Sequence, residues 1–148
     1  MAASSVTVSQ TVEARTLPNG AVVLLGRFLF ALIFLLAGPS HFSQQTIAFA
    51  TSQGVPLANF AVPASGILAL LGGLSILLGY RAKFGAWLIV LFLLPVTFMM
   101  HKFWGISDPV AAHTQMAMFM KNIALVGSAL FISQLGAGPL SLDSRSSR

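Results

Sequence analysis

The chain has 148 residues and a mean hydropathy of +0.87, and only 7% of its residues are charged. A water-soluble domain carries about 25% charged residues, so this composition excludes that class and indicates a membrane protein. The net charge of +5 is spread thinly, which argues against nucleic-acid binding because that function needs a clustered basic face. The chain has no cysteines, which excludes disulfides and thiolate metal ligands.

Two polar segments flank the apolar part of the chain. Residues 1–16 are rich in Ser, Thr and Ala and lack the basic start of a signal peptide. They are expected to form a flexible tail that is not cleaved. Residues 136–148 contain Gly, Pro, Ser and two Arg, and are expected to form a second flexible tail. The membrane domain is therefore predicted to occupy residues 17–135.

Four apolar stretches are each long enough to cross a hydrocarbon layer of about 30 Å as a helix. The predicted spans are 21–38, 60–79, 84–100 and 116–135. Asn19 is the predicted N-cap of the first span, and Gly38-Pro39 ends it. The link between the second and third spans is too short for anything but an antiparallel hairpin. The predicted fold is an all-α, four-helix transmembrane bundle.

The two longer connections differ in their predicted structure. Residues 39–59 are expected to contain an extra short helix over Ser43–Gln53, with Ser43 as its N-cap and Gly54 just past its end. Residues 102–115 contain Gly105 and Asp108-Pro109 and are predicted to form a turn-rich loop.

Small residues recur along the second span. Ser65, Ala69 and Gly73 follow one another at four-residue spacing, with Gly66 and Gly72 beside them. This pattern lets transmembrane helices approach closely, so it predicts close helix packing.

The orientation is predicted from the positions of the basic residues. An even number of spans places both termini and the second loop on one side, which holds most of the Lys and Arg. Basic residues favour the cytoplasmic side, so both termini are predicted to be cytoplasmic. The basic residues concerned are Arg15, Arg27, Arg81, Lys83, Arg145 and Arg148.

Two ionisable residues lie inside the predicted spans, where such residues are costly and often functional. Arg27 is expected about 10 Å deep and Lys121 about 9 Å deep from the opposite face. Both side chains could instead extend their charges to the headgroups, and Arg27 could bond to loop carbonyls. The only carboxylate on the outer side of the membrane near Lys121 is that of Asp108, which lies in the predicted loop. Three alternatives follow for the Lys121 ammonium: it bonds to carbonyls and amides such as those of Asn122 or Gln115, it loses its proton, or it holds an anionic or electron-rich ligand.

Polar and aromatic residues are predicted to meet at one end of the bundle. His41 and His101 end the first and third spans, where they could relay protons, ligate haem, or be ordinary interfacial residues. Two histidines without carboxylates make a poor metal or haem site, so no metal site is predicted. Trp104 could equally be a membrane anchor. The residues expected to line one pocket are Lys121, Asn122, His101, His41, Trp104, Gln115 and Lys102.

A quinone-like molecule matches this predicted pocket, because its carbonyls need donors, its ring needs a stacking surface and its reduction needs protons. In this hypothesis Lys121 and Asn122 polarise a carbonyl, His41 and His101 exchange protons, and Trp104 packs on the ring.

Several short motifs occur in a characteristic order between Gly26 and Leu142. They are Gly-Arg early in the first span, His-Phe at its end, Leu-Gly-Gly in the second, Pro-Val-Thr and then His and Phe-Trp around the end of the third, and Lys-Asn in the fourth. In this order the chain resembles the DoxX-like family of small bacterial four-helix membrane proteins. The resemblance implies an inner-membrane location and a link to quinol oxidases, thiosulfate:quinone oxidoreduction or oxidative stress. It implies no agreed set of catalytic residues.

The leading functional hypothesis is a membrane redox accessory protein that binds a quinone-like lipophilic molecule or supports a partner oxidoreductase. The alternative is a non-enzymatic scaffold, assembly factor or small-solute permeation protein. Whether the chain is an enzyme is left open, and a homo-oligomer is compatible with either hypothesis.

Overall fold

A computed structural model describes residues 19–146, and every regular element in that range is a helix. The helices in chain order are α1 (Gly20–Ala37), a 3₁₀ helix (Gly38–Phe42), α2 (Gln44–Ser52), α3 (Ala58–Leu78), α4 (Ala82–Met100), α5 (Pro109–Leu135) and α6 (Leu142–Ser146). The predicted N-terminal tail lies outside the described residues.

Helices α1, α3, α4 and α5 are long and apolar enough to cross a membrane. The predicted four-helix membrane fold with an extra short helix is therefore confirmed. Close backbone packing joins α1 to α3, α3 to α4 and α4 to α5, whereas α1 and α5 share no extended interface. We call the end formed by residues 38–58 and 100–109 the histidine end, and the end formed by residues 19–20, 79–82 and 136–146 the terminal end.

The small residues of α3 bring it close to helices on two sides. A Cβ atom at Gly72 would lie 2.9 Å from the carbonyl oxygen of Gly85 on α4. A Cβ atom at Gly73 would lie 3.2 Å from the Cβ of Phe34 on α1. These contacts confirm the predicted close packing, which places α3 between α1 and α4.

The short helix predicted after the first span is confirmed as α2. The Ser43 hydroxyl accepts a hydrogen bond from the Thr46 N–H at 3.2 Å, which is the expected N-cap. Gly54 has φ +81°, as a residue just past a helix end often does. The apolar face of α2 rests on the start of α3, where Ile47 and Ala50 pack in a buried cluster with Ala58 and Val62.

Helix α5 begins at Pro109, seven residues before the predicted start at Met116, so much of the predicted loop is helical. An Asp108 carboxylate oxygen accepts a hydrogen bond from the Ala111 N–H at 2.8 Å. Proline fits the first helical position because its missing N–H would have no partner there. Asp-Pro therefore starts a helix in this chain, where the sequence pattern had suggested a turn.

The C-terminal segment, predicted to be a flexible tail, folds back on the terminal end as far as Ser146. Its Asp143 carboxylate accepts hydrogen bonds from the backbone N–H groups of Arg81 at 2.8 Å and Ala82 at 3.1 Å. The Asp143 N–H donates to the Gly79 carbonyl oxygen at 2.8 Å. The Asp143 carboxylate thus caps the start of α4. These contacts hold the C-terminal segment in place although its composition is polar.

Arg27 is part of the same arrangement. Its side chain is only 4% exposed, and its Nη2 donates a hydrogen bond to the Leu140 carbonyl oxygen at 2.6 Å. A Cβ atom at Gly79 would collide with the Arg27 Nη1, so the guanidinium fills the space that this glycine leaves. The predicted bond of Arg27 to a loop carbonyl is therefore present, while its Nε and Nη1 are buried without a partner among the described residues.

Candidate functional site

A cavity of about 420 Å³ lies in the half of the bundle nearest the histidine end, between α2 and the four long helices. This volume is within the range of small-molecule sites. Its wall is mainly apolar and includes Ile33, Phe34, Val62, Ala69, Phe92, Leu93, Val96, Met99, Met100 and Leu125. On α4 the lining runs from Phe92 to His101, which corresponds to a depth of about 13 Å.

Asn122 is the most buried polar side chain in the cavity wall. It is 4% exposed, and its amide makes no hydrogen bond to any of the described residues. Among the described residues, the fully buried side-chain nitrogen and oxygen atoms without a partner are Nε and Nη1 of Arg27, so the amide atoms of Asn122 keep some exposure, and the residue lines the cavity. Asn122 lies seven residues along α5 from Gln115, or about 10 Å into the bundle from the level of His101. A polar group in the cavity at this depth would satisfy the amide.

Lys121 borders the same cavity from the next position of α5 and is exposed on its outer side. Its Nζ lies 3.6 Å from the Met118 sulfur, a weak acceptor. No carboxylate among residues 19–146 pairs with this ammonium. Its charge is therefore available to an electron-rich group.

Both cavity histidines are anchored through the same ring nitrogen. His41 Nδ1 lies 3.3 Å from the Ala37 carbonyl oxygen, and His101 Nδ1 lies 3.0 Å from Gln115 Oε1. The Ala37 carbonyl oxygen can only accept, so Nδ1 is the donor when His41 makes this bond, whereas the His101–Gln115 bond can run in either direction, depending on the ring tautomer and the orientation of the Gln115 amide. No described residue bonds to the Nε2 atom of either ring, and Nε2 is an acceptor in the tautomer whose Nδ1 carries the proton. The cavity thus combines donors on α5 with acceptors at its mouth.

The structure brings together five of the seven predicted site residues. His41, His101, Lys121 and Asn122 line the cavity, and Gln115 is hydrogen-bonded to His101. Lys102 and Trp104 are not in the cavity wall, contrary to the prediction. The Lys102 Nζ lies 3.5 Å from the Gln53 carbonyl oxygen on the surface.

The aromatic residues of the cavity wall are Phe34, Phe49 and Phe92, none of which was among the predicted site residues. Trp104 is 52% exposed and packs edge-on against Phe103 and Phe119. Phe92 lines the cavity instead, with its ring edge-on to His41 at a centroid distance of 5.5 Å. A phenylalanine within an apolar span has no polarity signal, so only the packing of the helices could identify it.

Within residues 19–146 no group of three or more His, Cys, Asp or Glu side chains could hold a metal ion. The polar side chains in the cavity wall include those of His41, His101, Lys121 and Asn122, and most of the remaining wall is apolar.

The DoxX family model matches residues 22–102 of the chain. The chain is also similar to the inner membrane protein YqjF of Escherichia coli strain K12, with 30% identity over 123 residues that cover 82% of this chain and 88% of that protein. No solved structure matches. The family match includes His41 and His101 but ends before α5, so Lys121 and Asn122 lie beyond it.

Proposed function

The chain belongs to the DoxX family, and from this premise we propose that it is a multi-pass inner-membrane protein whose cavity binds a lipophilic molecule of the quinone class. The location is supported by the four apolar helices and by the name of the relative, an inner membrane protein. The ligand class is supported by the composition of the cavity.

The observation that carries this proposal is the Asn122 side chain, which is 4% exposed, lines the cavity and makes no hydrogen bond to a described residue. In an apolar protein interior such an amide is usually replaced by an apolar residue or given a hydrogen bond. A carbonyl oxygen of the ligand would accept from the Asn122 amide nitrogen, and the Lys121 ammonium would strengthen the polarisation of that carbonyl.

The other polar groups of the cavity fit the reduced form of the same ligand. A quinol carries O–H donors, and the Nε2 atoms of His41 and His101 accept in the tautomer whose Nδ1 carries the proton. An aromatic headgroup would contact Phe92, which lines the wall beside His41. The cavity therefore offers matching groups to both the carbonyl and the hydroxyl state.

The protein's own residues supply no electron carrier, because the chain has no cysteines and no metal-binding cluster among its described residues. A redox role would require a partner oxidoreductase that delivers or removes electrons. We therefore propose an accessory function, in which the chain holds the quinone-class molecule for such a partner.

The direct test is to purify the protein in nanodiscs with native lipids and to identify any small molecule bound to it by extraction and mass spectrometry. The wild-type protein should retain a quinone-class molecule. Asn122→Leu should reduce this retention about tenfold without lowering the melting temperature, because the substitution breaks no hydrogen bond to a described residue.

Asn59→Leu is the matched control, since Asn59 is exposed at the start of α3 and is not part of the cavity wall. It should retain the molecule as the wild type does. An empty wild-type preparation, or full retention by Asn122→Leu, would contradict the proposal and favour a scaffold or assembly role.

A further inference from the structure

We propose that the cavity is loaded sideways from the lipid phase through the gap between α1 and α5, and that its ligand bears an apolar chain that lies in this gap. The inference rests on the proposed function, since it concerns how the same cavity takes up its ligand and which molecules of the quinone class it accepts.

The first argument is the open arrangement of the helices. The backbones of α1 and α3, of α3 and α4 and of α4 and α5 pack closely, whereas the backbones of α5 and α1 share no extended close contact. Both of these helices nevertheless contribute to the cavity wall, α1 through Ile33 and Phe34 and α5 through Lys121 and Leu125. On this side the cavity is therefore bounded by individual side chains and not by a packed helix interface.

The second argument is the exposure of those side chains. Ile33 is 36% exposed on the outer surface although it lines the cavity, and Lys121 is likewise exposed. A side chain that contacts both the cavity and the surroundings marks the rim of an opening. Because α1 and α5 cross the membrane, the surroundings at this rim are lipid chains.

The third argument is the cover over the histidine end. Helix α2 is fixed there by the buried cluster that Ile47 and Ala50 form with α3, and by its Ser43 cap. A ligand arriving from water would have to pass α2, where Phe49 lines the cavity and is 53% exposed. A ligand dissolved in the bilayer would instead meet the rim formed by Ile33 and Lys121 directly, and its chain would remain in contact with lipid after the headgroup reached Asn122.

The chain's own methionines allow the inference to be tested. Met99 and Met100 line the cavity, whereas Met116 and Met120 are exposed on α5 and do not. In nanodiscs, carbon-13 methyl labelling of methionine would report cavity occupancy at the first pair, with the second pair as an internal reference. The probes are a dimethoxy-methyl-benzoquinone headgroup bearing a decyl chain and the same headgroup without the chain.

Ile33→Trp should narrow the gap and slow exchange of the decyl-bearing probe about tenfold. Ile33→Ala should widen the gap and accelerate the same exchange. Leu29→Trp is the matched control, because Leu29 is exposed on α1 outside the cavity wall, and it should leave the exchange rate unchanged.

The outcomes separate this inference from the proposed function. If Met99 and Met100 respond to the probe but neither Ile33 variant alters its exchange rate, loading through the gap is wrong and the proposed function stands. If neither probe shifts these resonances in the wild-type protein, quinone binding itself fails. If Ile33→Trp abolishes binding of the probe, the Ile33→Ala variant decides the question. Faster exchange of the decyl-bearing probe in this variant supports loading through the gap, and an unchanged exchange rate contradicts it.

Discussion

Gly66 of α3 lies directly against His41 of the 3₁₀ helix. A Cβ atom at Gly66 would stand 2.7 Å from the Cβ of His41 and 3.2 Å from the Gly38 carbonyl oxygen. The missing side chain thus allows the 3₁₀ helix to rest on α3, and this contact sets the position of the His41 ring beside Phe92. Gly66 is a residue of the bundle packing that also determines the geometry of the cavity mouth.

Gly66→Ala should therefore displace the 3₁₀ helix. Alanine normally stabilises a helix interior relative to glycine by about 0.5–1 kcal/mol, but overpacking costs about 1–3 kcal/mol. A net loss of about 1 kcal/mol is expected, together with weaker retention of the ligand. Unfolding in mixed detergent measures the loss of stability, and extraction followed by mass spectrometry measures the ligand that is retained.

The control for this variant is Gly26→Ala on α1, where nothing lies within 4 Å of the added carbon atom. It should be neutral or slightly stabilising. A Gly66→Ala protein with the stability and ligand content of the wild type would show that the contact with His41 is relaxed at no cost.

Lys121→Met should abolish ligand retention while leaving the bundle as stable as the wild type, or more stable. The ammonium has no carboxylate partner among the described residues, so its removal leaves no charge uncompensated. Lys121→Arg should keep partial retention because it preserves the charge with a different shape. A lower melting temperature for Lys121→Met would instead assign Lys121 a structural role.

Arg27→Met should release the C-terminal segment from the terminal end. The Leu140 carbonyl oxygen would lose its donor, and this loss is partly offset because Nε and Nη1 of Arg27, which are buried without a partner among the described residues, are removed as well. Trypsin should then cut faster at Arg145, while the rest of the bundle resists cleavage. Ser128→Ala, an exposed change whose hydroxyl bonds only within α5, serves as control. Equal cleavage rates in the two variants would show that Asp143 alone holds the segment.

The terminal end should face the cytoplasm. It carries Arg27, Arg81, Lys83 and Arg145, and basic residues near the ends of membrane helices favour that side. A fluorescent-protein fusion after Arg148 should fluoresce, and alkaline phosphatase inserted after Gly105 should be active. An inactive phosphatase at Gly105 together with a dark C-terminal fusion would reverse the assignment.

The spans and the short helix could be predicted from the sequence because their signals are local. Apolar runs of sufficient length identified α1, α3 and α4, and Ser43 with Gly54 delimited α2. The start of α5 was missed because Asp-Pro is equally compatible with a turn and with a helix cap. The C-terminal segment was missed because its order comes from contacts with Arg27 and Arg81, which are distant in the sequence.

The candidate site likewise contains residues that the sequence could identify and an arrangement that it could not. His41, His101, Lys121 and Asn122 could be selected from the sequence because polar groups are conspicuous in apolar spans. The separation of Trp104 from Asn122 could not be foreseen, since it depends on which face of α5 turns toward α4. That face carries Asn122, Ala129 and Ser133 in the interior, while Trp104 packs against Phe119.

Two neighbouring helices of this bundle have very different lengths. Helix α4 has 19 residues and measures about 29 Å, whereas α5 has 27 residues and measures about 40 Å. One matches the hydrocarbon thickness and the other exceeds it, so α5 tilts or projects beyond the lipid chains. A thicker bilayer would draw the His101–Gln115 pair into hydrocarbon, and a thinner one would bring Lys121 closer to the headgroups. The polarity around the cavity is therefore expected to depend on the thickness of the host membrane.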